Sequence, residues 1–221
     1  MLREGGEDST GLETLQVAVN LCAAQFGSFH PQTIAAAHEL ALALQSAGHA
    51  NQAIGVLERA LNGLASSLES AHPVRADLLC TLAEIMLEQG HWAPASFVYR
   101  EALDLRIRHL GANHESSLAT KGDLAVVLFQ LGDTTEAAQL EREAFEDAVT
   151  YLGKAHPVSS VLAWNRAQRY EDGGDSDSAK AIVAKDLLWL LAEDDARLAS
   201  DQKTIRALLA ERLGWDAAGI C

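Results

Sequence analysis

Eight histidines are the side chains of this sequence best suited to hold a metal or pass a proton near neutral pH. Their spacing argues against that use. His30, His72, His114 and His156 recur every 42 residues, and His49 and His91 share the interval. Copies so placed sit on successive structural units, too far apart to share one ion whose ligands lie ~2 Å away. They are expected to cap helices. His38 and His109 stand alone. The carboxylates Glu193, Asp194 and Asp195 fall near a helix end and read as solvated. Gly173-Gly174-Asp175 reads as a turn, and no HExxH, CxxC or glycine-rich phosphate loop occurs. No catalytic residue, metal site or cofactor is expected, and the chain does not read as an enzyme.

The elements that position these histidines are a repeat. Gly48, Gly90, Gly132 and Gly174 keep the 42-residue step. So do Ala41, Ala83, Ala125 and Ala167, and so do Ala53, Ala95, Ala137 and Ala179. Several registers locked to one period mark a repeat architecture. Abundant Ala, Leu and Glu with only 4 prolines favour helix. Each unit reads as two helices. Proline suits a first helical turn, its preceding histidine marks the break, and glycine supplies the left-handed stop. Short connections make the paired helices antiparallel. The alanines fall where the two helices of a pair meet, where larger side chains would force the axes apart.

The chain order follows. Residues 1–10 form a flexible arm. Thr10 to Glu13 reads as a capping box opening a helix over 11–27, the second half of a repeat whose first half is missing. Full repeats span 30–69, 72–111, 114–153 and 156–194, giving a repeat domain over 11–194. The fourth is atypical. Arg166 replaces the leucine of Leu40, Leu82 and Leu124, and Asp186 replaces the alanine of Ala60, Ala102 and Ala144. A capping helix over 199–215 covers its apolar second helix, and 216–221 is a flexible tail that carries Cys221. The uncovered apolar face of 11–27 is expected either to pair with another copy as a homodimer or to stack on another domain, as in a regulatory fragment of a larger protein.

The formal charge of −14 argues against nucleic acid and anionic membranes as partners. No apolar run approaches the ~20 residues of a membrane span, and the start lacks the apolar core of a secretory signal. The 3 scattered cysteines imply no disulfide framework, so a cytoplasmic location is expected.

Leu124-Ala125, Gly132, Glu136-Ala137, Ala144-Phe145, Leu152-Gly153 and His156-Pro157 resemble tetratricopeptide repeats of the 42-residue, kinesin-light-chain-like type. The resemblance implies an all-α, right-handed superhelix of helix pairs. First helices would line a concave groove that binds peptides or partner proteins. In that type, asparagines just before the Leu-Ala pair hold the partner's backbone; here only Asn165 keeps one, and Asp123 stands at its counterpart.

Helical phase names the rest of that surface. It comprises His38 and Leu42; Asp77, Cys80, Glu84 and Glu88; Asp123, Val126 and Phe129; and Trp164, Asn165, Gln168 and Glu171. It contains no Lys or Arg, so its expected partner is a protein or peptide segment with basic and apolar residues. Phe129 and Trp164 are its expected anchors. The lack of cations argues against clamping of a terminal carboxylate.

Overall fold

The computed structural model describes residues 4–66 and 74–213. Among them every regular element is helical and none is a strand. Two compact units divide the chain, residues 1–109 and 110–221.

The first unit holds α1 (Glu4–Phe26), α2 (Pro31–Ser46), α3 (Ala50–Ser66), α4 (Val74–Glu88) and α5 (Trp92–Leu110). The expected arm is helical from Glu4, ahead of the capping box read at Thr10. His72 and Pro73 lie outside the described residues.

The second unit holds α6 (Glu115–Leu131), α7 (Thr134–Tyr151), α8 (Pro157–Asp172), α9 (Ser176–Ile182), α10 (Trp189–Ala192) and α11 (Ser200–Leu213). Between α9 and α10 the backbone makes a π-turn over Val183–Leu187, so the last repeat's second helix is broken rather than continuous. Asp186 occupies the alanine position of the earlier repeats and is buried. Its carboxylate faces the Lys154 ammonium at 3.6 Å. The same ammonium donates to the Lys185 carbonyl, and Trp189 Nε1 donates to the Asp186 carbonyl at 3.0 Å. The widened turn thus frees carbonyls that local donors then satisfy.

The turns confirm the punctuation read from sequence. Gly48, Gly90, Gly132 and Gly174 take φ values of 78°, 77°, 87° and 80°, a region that disfavours any side chain. The seam alanines Ala41, Ala83, Ala125 and Ala167 are at most 2% exposed, which fits a close approach of helix axes.

Histidine caps the first helices through its ring. Nδ1 of His30, His114 and His156 accepts the backbone N–H two residues on, at 3.3, 3.2 and 3.2 Å. A side-chain acceptor there satisfies an otherwise unpaired helix donor. Hydroxyls add a second tie: Thr33, Ser117 and Ser159 donate to the carbonyls of Gly27, Gly111 and Gly153, each at 2.8 Å. His114→Ala is expected to cost about 1 kcal/mol, and His114→Asp to restore most of it, as read from urea midpoints.

α11 keeps the repeat phase. Ile205 and Leu209 are buried, 42 residues beyond the buried Ala163 and Ala167 of α8. Gln202 donates to the Ala155 carbonyl at 2.9 Å and to Ser160 Oγ at 3.0 Å. The capping helix is therefore the first helix of a fifth unit by register, and its larger side chains close the core formed by Leu162, Leu187, Leu190 and Leu198.

Candidate functional site

In the first unit, the predicted face lies on α2 and α4. Two polar rungs join these helices. His38 Nε2 and Thr81 Oγ1 are 2.8 Å apart, and Gln45 Nε2 donates to Glu88 Oε1 at 2.8 Å. Burial holds the His38 imidazole below its ordinary pKa, against the opposing pull of Asp77 and Glu39. Burial thus favours the neutral ring, which serves the rung.

Leu42 is half-buried, while Asp77, Glu84 and Glu88 are exposed. Asp77 is taken by Arg106 of α5 at 2.8 Å. Cys80, expected on the surface, is buried in the core between the helices and is not offered to a partner. The residues that remain are Glu84 and Glu88, one helical turn apart. Glu84 keeps an exposed edge, yet its surroundings remove enough water to raise its carboxyl above the usual range. Arg106 opposes this rise and Glu88 adds to it. Among the described residues neither carboxylate forms an ion pair.

In the second unit the predicted face lies on α6 and α8. Gly122 lets the two helices close in, since a Cβ there would fall 2.2 Å from Leu162 Cδ2. Val126 is exposed; Asp123 and Asn165 are half-buried. Both expected aromatic anchors have intramolecular work. The Arg169 guanidinium lies 4.7 Å from the Phe129 ring centroid and 4.1 Å from that of Tyr170. Trp164 packs against the core that α11 completes.

This face is not free of cations, contrary to the expectation. Arg212 of α11 donates to Gln168 Oε1 at 3.1 Å and pairs with Glu171 Oε2 at 2.5 Å. Arg169 forms a bidentate pair with Glu141 of α7, its Nη2 2.7 Å and its Nε 2.9 Å from the carboxylate oxygens. Those bonds raise the Arg169 pKa above its ordinary value, against some loss of water. Arg166 adds a second cation, its Nε 3.8 Å from Glu141. Glu141 itself is buried.

Sequence reasoning noted Arg166 but missed Glu141 as its partner. The signal was present: Glu141 stands at the register position of Leu15, Leu57 and Tyr99, as Arg166 stands at that of Leu40, Leu82 and Leu124. Two charges of opposite sign in two apolar registers mark a coupled exchange. Among the described residues no three His, Cys, Asp or Glu side chains group as a metal site, and no helix is long and apolar enough to cross a membrane.

The tetratricopeptide repeat family profile matches residues 75–116 and 117–158. Among solved structures, the nearly identical tetratricopeptide-like repeats of a kinesin light chain candidate from Podosopora anserina are similar, in a single-substitution form. They share 23% identity at a TM-score of 0.70, with 96% of this chain and 91% of that one covered. BtubC (BKLC) from P. vanneervenii is 16% identical at a TM-score of 0.74, over 94% of this chain and 85% of the other. No curated protein matches the sequence.

Proposed function

From the tetratricopeptide repeats that the family profile matches over residues 75–116 and 117–158, we propose that this chain is a tetratricopeptide repeat protein of the kinesin-light-chain-like type and a non-catalytic scaffold, whose first-helix face holds a basic, partly apolar segment of a partner protein. The Glu84–Glu88 pair carries the reading. Two carboxylates one turn apart repel each other, and a Lys or Arg placed between them relieves that repulsion. Leu42 on α2 offers apolar contact to the same segment, and the overall charge of −14 draws a basic one in. In the second unit Val126 supplies apolar surface, while Phe129 and Trp164 act from beneath by holding the helices that carry it. A cytoplasmic setting belongs to the same reading.

The test is a peptide array in which Lys and Arg alternate with Leu and Phe, set beside acidic counterparts. The wild type is expected to select the basic set, less so at high salt. Glu84→Lys/Glu88→Lys is expected to weaken that binding at least about tenfold with unchanged circular dichroism. Preference for acidic peptides, or a charge-reversed variant that binds as before, would overturn the proposal.

A second reading is homodimerisation through α1. Leu21 is 65% exposed, whereas Leu105 at the same register position is 8% exposed. Val17 is also exposed, where Arg59, Glu101 and Glu143 stand in later repeats. An apolar pair of this kind fits a self-complementary contact. Light scattering that reports a monomer at high concentration would eliminate it.

A further inference from the structure

We infer that the cleft between α1 and α3, floored by α2, is a binding site for an aliphatic monocarboxylate. The cleft is distinct from the first-helix face and from the Val17–Leu21 patch. A cavity of about 480 Å³ opens there, and a second of about 460 Å³ continues it; Gln16, Leu40, Val56 and Arg59 line both. Pockets of this size accept small organic ligands.

The space is carved by side-chain size. Val19, Ala23 and Gly63 line the cavity. Three periods on, the same register positions hold Phe145, Val149 and Trp189, which fill the core of the second unit. The repeat plan therefore admits larger residues at these positions, whereas this cleft is lined by small ones. Gly63 is required by Phe29. Its ring lies against the glycine backbone, where an added Cβ would fall 1.8 Å from Phe29 Cδ1, and so forms one wall of the cavity. Elsewhere the walls are Ile34, Ala37 and Ala60.

Charge selects the ligand's head. Arg59 stands exposed at the junction of the two cavities and makes no hydrogen bond or ion pair among the described residues. Its guanidinium folds back along its own helix over Gly55, Nη1 3.6 Å from the position a Cβ would take, and Gly55 lines the second cavity beside it. Gln16 adds an amide at the same junction. Glu13 and His49 line only the second cavity, so among the described residues Arg59 is the sole ionisable group lining the first. An apolar chain under Phe29 with its carboxylate on Arg59 satisfies both parts, and a guanidinium pairs well with a planar carboxylate.

Calorimetric titration with decanoate and with decanol, which share a chain and differ in the head, tests this. The wild type is expected to saturate with decanoate and to prefer it over decanol by about tenfold. Arg59→Gln should erase the preference while leaving decanol binding intact. Val19→Phe, which installs the residue of the second unit, should abolish binding of both. If that variant fails to fold, Ala23→Val provides the milder filling and should weaken both ligands. Absence of saturable decanoate binding, equal binding by a folded filled variant, or a head-group preference that survives Arg59→Gln would each overturn the inference. So would displacement of decanoate by a Trp215–Cys221 peptide that binds more tightly, which would assign the cleft to the chain's own end.

Discussion

Glu141→Ala is expected to destabilise the second unit by about 3–5 kcal/mol, seen as a lower urea midpoint for its unfolding. The carboxylate is 8% exposed and accepts three bonds from two nitrogens of Arg169, with Arg166 close by. Its removal leaves two guanidinium groups stacked on Phe129, Phe145 and Tyr170 with no counter-charge. A buried pair, however, is weak evidence of net stabilisation, because both ions have lost water. Restoring the earlier repeats' residues at all three positions, as Glu141→Leu/Arg166→Leu/Arg169→Val, is therefore expected to be neutral or to stabilise by about 1–4 kcal/mol. A single alanine variant with wild-type stability would show that the charges are already well solvated.

Leu209→Ala is expected to cost about 2–5 kcal/mol, while Leu208→Ala beside it costs less than about 0.5. Leu209 is fully buried against the second unit's core, whereas Leu208 is 42% exposed. The contrast follows from phase alone. Leu209 falls at the register of Ala167, and Leu208 at the register of Arg166. Thermal unfolding followed by circular dichroism reads both variants. Equal costs would mean that α11 docks in another phase and that the fifth-unit register is accidental.

The architecture was legible because burial repeats with the chain. Ala125 and Gly132 each face the same surroundings as their copies, so type and position agree. The charged cluster was less legible, since Arg169 and Glu141 lie 28 residues apart and meet only when two helices share a register. Arg212 escaped for the same reason: helical phase on α8 alone left Glu171 open to solvent, and a later helix closed over it. The π-turn at Val183–Leu187 could not be read from Asp186 alone, because the lysine that its buried carboxylate faces stands in the turn before α8. Cys80 was misplaced because a sulfhydryl tolerates either side of a helix, and only packing decides.

The Glu141–Arg169 contact also constrains how such chains can diverge. A stack of look-alike modules invites duplication, deletion and shuffling, since any unit with greasy contact surfaces can follow any other. Here the second helix of the third module carries an acid and the first helix of the fourth carries its base, so that junction has a grammar. Moving either module elsewhere in the stack would strand an ion against leucine, and recombination at this joint would be purged while exchanges among the earlier modules survive.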